Sequence, residues 1–311
     1  MIIILTCLVK NILIDKIYEI YMSEYKYFQE DCIEIYKGNK IKNTNTCSKA
    51  IVFDLDETLG KFLDLEILWI TIKKNVNSSE QIKFDSLIDL YPEFLRNQIT
   101  KILKYVYNKK KTKECFKLYL YTNNQSKNDI VNYIVDYFTK IITNGKDKLF
   151  DQIIYAFKIN EQIIQIGRTS HQKSHKDFIN CTLLSTGTSI CFIDDNEFNE
   201  MKKDKIYYIQ PTPYKHNLSS YDIINRFLKC DKYQDLIKNN KKNIYDQFII
   251  KCMHSKCLNK TNHRTKEFIL NEEKISKKIM YHIKEFFFLL KKKLKTRKNK
   301  KNLRNFTRKK Y

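Results

Sequence analysis

Lys49-Ala-Ile-Val-Phe-Asp-Leu-Asp-Glu-Thr58 is the stretch whose reading decides the fold. An apolar run too short for a helix stops abruptly at two acids, which is the signature of a buried strand ending at a polar edge. Three further stretches repeat the pattern. Phe116-Lys-Leu-Tyr-Leu-Tyr-Thr122 runs into Asn123-Asn124, Ser189-Ile-Cys-Phe-Ile-Asp-Asp195 again stops at acids, and Lys205-Ile-Tyr-Tyr-Ile-Gln210 follows it. Phe150 to Phe157 reads as another strand region.

Helical spacing lies between these runs. Phe94, Leu95, Ile99, Ile102, Leu103 and Val106 follow it from Pro92, and a second amphipathic stretch runs from about Ser126 to Ile142. Lys109 to Lys113 is expected to turn, Trp69-Ile70 to form a short strand and Lys73 to Glu80 a polar loop. Strands alternating with helices predict an α/β fold, Rossmann-like, around a mostly parallel sheet. In such sheets the ligand crevice lies outside the carboxyl ends of the strands, where Asp54, Thr122 and Asp194-Asp195 are found.

The residue types at those ends suit phosphoryl transfer. Asp54 and Asp56, two residues apart after a strand, offer one carboxylate to attack and one to act as general acid and base. Paired acids repel a phosphate unless a hard cation with oxygen ligands intervenes, and magnesium suits that role. Asp194 and Asp195 extend the oxygen set, Thr122 offers a hydroxyl, and a lysine is needed to neutralise developing charge.

With these residues in view, Asp54-Leu-Asp56-Glu-Thr58 resembles the DxDxT first motif of the haloacid-dehalogenase (HAD) superfamily. The strand end at Thr122 is similar to its second motif, and Asp194-Asp-Asn-Glu-Phe-Asn199 to the DDxxxN form of its fourth. The resemblance implies that Asp54 becomes an aspartyl-phosphate and that Asp56 is the general acid/base. It implies that Thr122, Asn123 and Thr58 meet the phosphate. Mg2+ is then held by Asp54, the backbone carbonyl of Asp56 and Asp195, with Asp194 close by. For the third-motif lysine, Gly167-Arg-Thr-Ser-His-Gln-Lys173-Ser-His-Lys176-Asp-Phe178 offers Lys173 first and Lys176 as the alternative.

Within the superfamily the chain resembles the NLI-interacting-factor-like phosphatases of the RNA polymerase II C-terminal domain. Tyr91-Pro-Glu-Phe-Leu95 is similar to that family's RPGxxxFL helix start without its Arg, and Thr122-Asn-Asn stands where the family has TAS. Short spacings between motifs leave little room for a large cap. The substrate implied is a phosphorylated protein (Ser/Thr), with a nucleic-acid 3′-phosphate, or a catalytically silent binding module, as alternatives.

Four segments follow: an N-terminal extension over residues 1–48, a phosphatase-like domain over 49–228, a helical extension over 229–290 and a basic tail over 291–311. Met1 to Ile14 lacks a basic start and a cleavage site and is too short to span a bilayer. Residues 1–21 are read as sequence upstream of a start at Met22, or else as an accessory helix. Residues 22–48 are polar and Tyr-rich without clear periodicity. Ile275 to Leu290 is expected to be an amphipathic helix.

The formal charge of +23 over 311 residues would ordinarily indicate a polyanionic partner. Much of the excess sits from Lys291 to Tyr311, which holds twelve Lys and Arg and no acid. That tail is expected to be a disordered, solvated charge run, with nucleic acid as a candidate partner. Nine scattered cysteines fit reduced thiols in a cytoplasmic or nuclear compartment, not a secreted disulfide framework. Cys252-Met-His254-Ser-Lys-Cys257 and His263 give only a hint of zinc-ligand spacing. Abundant Lys, Asn, Ile and Tyr share AT-rich codons, which points to a large DNA virus or a protist.

Overall fold

The computed structural model describes residues 32–41, 49–77, 79–115, 117–126, 129–255 and 266–307, with side chains to residue 288. Residues 1–21, Phe116, Cys257, His263 and residues 308–311 lie outside the described residues.

Four of the apolar runs form parallel strands: β2 (Lys49–Phe53), β3 (Lys117–Tyr121), β7 (Ser189–Ile193) and β8 (Ile206–Pro211). They join β1 (Ile33–Lys37) and β4 (Gln152–Ile154) in a six-stranded sheet of order β1-β8-β7-β2-β3-β4. Only β1 runs antiparallel, against β8. A small hairpin, β5 (Lys158–Ile159) and β6 (Gln162–Ile163), stands apart from the sheet. The fold is therefore α/β, Rossmann-like, with a mostly parallel sheet.

Period-two alternation divides the core between the two faces of the sheet. Ile51, Phe53, Leu118, Leu120, Cys191, Ile193, Tyr207 and Ile209 face one cluster. Ala50, Val52, Tyr119, Tyr121, Ile190, Phe192, Ile206 and Tyr208 face the other. The first face is covered by α1 (Leu63–Asn75), α2 (Phe84–Leu90), α3 (Ile99–Lys111), α4 (Ile130–Thr143), α6 (Ser220–Lys229), α7 (Gln234–Ile237), α8 (Lys241–His254) and α9 (Lys266–Thr307). The second is closed by α5 (His175–Thr182) through Phe178, together with Phe198 and Met201.

Four expectations are corrected. Trp69-Ile70 is not a strand but the middle of α1, whose Leu65, Leu68, Trp69 and Ile72 are buried at helical spacing; two residues were too few to reveal the period. The polar loop expected from Lys73 starts only after Asn75. Pro92 opens a short 3-10 turn (Pro92–Phe94), and the long helix starts at Ile99 and runs on to Lys111, through part of the expected turn. The polar stretch before Lys49 contributes β1, whose Ile33 and Ile35 alternate with Glu34, as suits an edge strand.

The C-terminal helix continues to Thr307, past Lys291, where a disordered run was expected. Lys, Arg and Leu are good helix formers and the stretch contains neither Gly nor Pro, so nothing local stops it. Cys252 is buried among apolar side chains on α8, and Cys32, Cys115, Cys181, Cys191 and Cys230 are free thiols.

Candidate active site

The chain visits β3 and β4 on one side of β2, then β7 and β8 on the other. Strand order thus reverses between β2 and β7, and a crevice opens beyond their carboxyl ends. Asp54 follows β2, and Asp194 and Asp195 follow β7. All three are buried. Their backbones are pinned by the neighbouring strands, Asp54 N–H donating to Ile193 O (2.9 Å) and Asp194 N–H to Ile209 O (3.2 Å).

One oxygen from each of Asp54, Asp194 and Asp195 lies within 4.8 Å of the others, a set that could hold a metal ion. The Asp56 side chain is not part of this cluster. Lys173 is buried between two of the acids, donating from Nζ to Asp54 Oδ1 and to Asp194 Oδ2, the latter at 2.6 Å. Lys176, the other candidate lysine, is exposed.

One lysine among these carboxylates leaves a deficit of positive charge. Burial raises the Asp54 pKa despite Lys173, and raises that of Asp194 far more. Asp195 is pushed up to about 6, by burial and then by the Asp54 charge. Asp56 is pushed up to about 7, again by burial first and Asp54 second. Burial alone would lower the Lys173 pKa, but Asp194 and Asp54 hold it above its ordinary value. The donor set, all hard oxygens short of neutralising charge, fits a divalent cation.

The turn after β2 explains how Asp54 and Asp56 come to the crevice. Leu55 and Leu59 are buried, and Leu59 N–H donates back to Leu55 O (2.9 Å). Glu57 takes the left-handed conformation, with φ of 61°, to reverse the chain. Gly60 is required by packing, since a Cβ there would lie 2.3 Å from Phe94 O. Arg96, fully buried, clamps the turn from behind: it donates to Thr58 O (2.9 Å), Glu57 O (2.7 Å) and Thr212 O (2.7 Å). Its counter-charge is Glu272 on α9, at 3.5 Å.

Thr58 was expected on the phosphate, but its hydroxyl is committed to Asp195. It donates to Asp195 Oδ1 (2.9 Å) and accepts from Asp195 N–H (3.0 Å). It therefore orients a candidate metal ligand. Thr122 is buried at the end of β3, and its hydroxyl oxygen accepts from Asn124 N–H (2.9 Å), which still leaves the hydroxyl proton to donate. Asn123 is also spoken for, accepting from Arg168 (2.7 Å) and donating to His171 O (2.9 Å). Asn199 is exposed at the start of a 3-10 turn, and Asn196 instead meets Asp195 Oδ2 (3.0 Å).

Searches of family models, curated proteins and solved structures return no match to this chain. The site must be read from its own geometry.

Three residues that the sequence did not single out complete it. Asn124 Nδ2 donates to Asp56 Oδ2 (2.8 Å), joining the β3 loop to the second acid. Buried Arg168 donates to Thr122 O (3.1 Å), Tyr155 O (2.8 Å) and His171 O (3.0 Å), tying the β3 end to the loop that carries Lys173. Asp177 on α5 accepts from Thr169 N–H (3.0 Å), while Ser174 caps that helix, so Lys173 is fixed from both sides. Beside Asn124 opens a cleft of ≈ 530 Å³, lined by Ser126, Asp129, Asn132, Tyr155, Asn160 and Gln162 with three apolar side chains.

Proposed function

We propose that this chain is a metal-dependent phosphomonoesterase of the haloacid-dehalogenase type, working through an aspartyl-phosphate on Asp54. The observation that carries the reading is the contrast between two acids two residues apart. Asp54 is held by Lys173 among candidate metal ligands, whereas Asp56, outside that cluster, has a pKa pushed up to about 7. Neighbouring carboxyls with different environments suit a nucleophile and a proton donor.

Asp54, Asp194 and Asp195 would hold Mg2+, which supplies charge to draw the phosphate onto an acidic site. Asp54 attacks phosphorus through a carboxylate oxygen, forming an O–P bond as the ester P–O bond breaks. Asp56 gives its proton to the leaving alkoxide. Water then attacks the same phosphorus while Asp56 takes its proton, and the Asp54 O–P bond breaks to release phosphate and restore both carboxyls. Lys173 orients Asp54 and opposes the burial that disfavours its ionised form, and Thr122 donates to a phosphate oxygen.

A phosphoprotein (Ser/Thr) is the substrate we infer. The cleft is lined by Asn124, whose amide holds the Asp56 carboxylate that would protonate a leaving group. It is lined by amides, a tyrosine and apolar groups, with Asp129 as its one charged side chain. Such walls suit a peptide better than a strand carrying further phosphates.

The test is hydrolysis of an aryl phosphate with and without Mg2+, in wild type and Asp54→Asn. Magnesium-dependent turnover that disappears in the variant is expected. Absence of turnover in folded wild type, on a phosphopeptide as well, would leave a binding module as the better reading.

A further inference from the structure

The C-terminal helix α9 crosses the sheet from the catalytic end to the opposite one. Near its start, Glu272 meets Arg96, the residue that clamps the turn after β2, and Ser276 donates to Asn97 O (2.5 Å). Further along, Glu285 accepts from Tyr207 and from Lys37 (2.7 Å), and His282 lies 2.8 Å from the Tyr207 hydroxyl. Tyr207 stands near the amino end of β8 and pairs with Lys37 of β1. The thirteen residues from Glu272 to Glu285 rise about 20 Å, which matches the length of a strand of this sheet.

The direction of travel decides where the basic segment goes. Ile275, Ile279, Ile283 and Phe286 hold the helix against the core, and the helix then continues to Thr307. Lys291 therefore lies about 9 Å beyond Glu285 along the axis, past the amino end of the strands, and about 30 Å from the level of Arg96. From there to Tyr311 the sequence carries twelve basic residues and no acid. Its larger apolar residues are Leu294, Leu303, Phe306 and Tyr311, which do not repeat at the spacing of an amphipathic face. No helix among the described residues is long and apolar enough to cross a membrane.

We propose that the helical segment over residues 291–307 is a nucleic-acid tether that binds phosphate backbones at the end of the molecule opposite the catalytic carboxylates. The density of Lys and Arg without acids matches a polyphosphate, and the lack of an apolar stripe counts against a lipid surface. Binding is through backbone charge and is indifferent to sequence. The tether concentrates the protein near nucleic acid and leaves the crevice free, so binding and turnover are separable.

The experiment uses the full chain and a fluorescein-labelled 24-base-pair DNA duplex of arbitrary sequence, followed by anisotropy from 50 to 200 mM salt. A variant with Lys291, Lys292, Lys293, Lys295, Arg297 and Lys298 each changed to Gln keeps helix propensity. Wild type is expected to bind with an affinity that falls steeply with salt, and the variant to bind at least tenfold more weakly with a shallower slope. Its thermal midpoint should stay that of wild type. Turnover of a small aryl phosphate should be the same in both proteins, and a saturating duplex should not inhibit it. Equal duplex binding by the variant would overturn the tether. So would duplex competing with the small substrate, or binding confined to vesicles containing phosphatidylserine. Because anisotropy needs no catalysis, these outcomes stand apart from the fate of the phosphatase reading.

Discussion

Asn124 and Asp56 are joined by a 2.8 Å hydrogen bond from the Asn124 amide to the Asp56 carboxylate, across two loops that leave different strands. The bond favours the ionised acid, opposing the burial and the Asp54 charge that raise its pKa to about 7. Asn124→Ala should therefore raise that pKa further. A group with a higher pKa stays protonated to higher pH, so the loss of leaving-group protonation should begin at higher pH in the variant. The pH dependence of kcat/KM on a phosphoserine peptide measures this. An unshifted profile would show that Asn124 does not set the acidity of Asp56.

Asp54→Asn should remove turnover and yet stabilise the metal-free protein. The Asp54 pKa is raised by burial, so ionising it at neutral pH costs folding free energy. A raised carboxyl pKa means the folded state resists losing its proton, and the penalty grows as pH climbs above the unfolded value. An amide removes that penalty at pH 7. Without Mg2+ the variant should melt above wild type, by up to several degrees. Adding Mg2+ at a hundred times its Kd should stabilise wild type by about 2.7 kcal/mol, and the variant by less. Thermal shift with and without a chelator measures both.

Asp56→Asn keeps the shape of the second acid but leaves it no proton to give. Phosphopeptide turnover should fall by about 10²–10⁴-fold. An activated aryl phosphate, whose leaving group departs as a stable anion, should lose far less in the first step. A burst of released phenol followed by slow turnover would place the remaining defect in hydrolysis of the aspartyl-phosphate. Equal losses on both substrates would argue against Asp56 as leaving-group acid.

The frame of the site was legible because buried strands must end somewhere, and in this chain they end at chemistry-bearing residues. Asp54, Thr122, Asp194 and Asp195 all follow runs whose apolar character and length dictate a strand. Lys173 was reachable from its place ahead of a helix, though only three-dimensional packing separates it from the exposed Lys176. The bond from the Thr58 hydroxyl to Asp195 could not be read from the sequence, because spacing cannot tell a hydroxyl facing a phosphate from one facing a carboxylate. Arg96, Asn124 and Arg168 left no periodic trace. Each acts by filling backbone carbonyls or a carboxylate supplied by loops remote in sequence, and Asn is too abundant in this chain to stand out. Helix α1 and strand β1 were missed for a plainer reason, their windows being too short or too polar for a period to show.

Arg96→Met should test how far the turn after β2 depends on its clamp. The guanidinium fills three backbone carbonyls and faces Glu272, and it is wholly buried. Removing one partner of a buried pair leaves the other charge uncompensated, a cost of about 3–5 kcal/mol. Arg96→Lys should recover only part of this, since an ammonium cannot reproduce the fork. The double variant Arg96→Met with Glu272→Gln should be more stable than Arg96→Met alone while still turning over slowly, because the carbonyls of Glu57 and Thr58 remain unheld. Urea denaturation and kcat together separate the two effects.

Glu285 anchors the middle of α9 against Tyr207 and Lys37 and should make stability sensitive to acid. Burial would raise its pKa, but hydrogen bonds from His282, Lys37 and Tyr207 together outweigh that and bring it down to about 2. A carboxyl depressed on folding contributes stability that is full above its unfolded pKa, near 4.5, and is lost as pH falls toward 2. Glu285→Gln should therefore be less stable than wild type at pH 7, and the gap should narrow steadily between pH 4.5 and 2. Urea midpoints across that range measure it. A gap that stayed constant to low pH would mean that the side chain contributes packing against Tyr207 and not charge. Because Glu285 lies about 20 Å along α9 from Glu272, turnover of an aryl phosphate at pH 7 should remain within about twofold of wild type wherever the variant is folded.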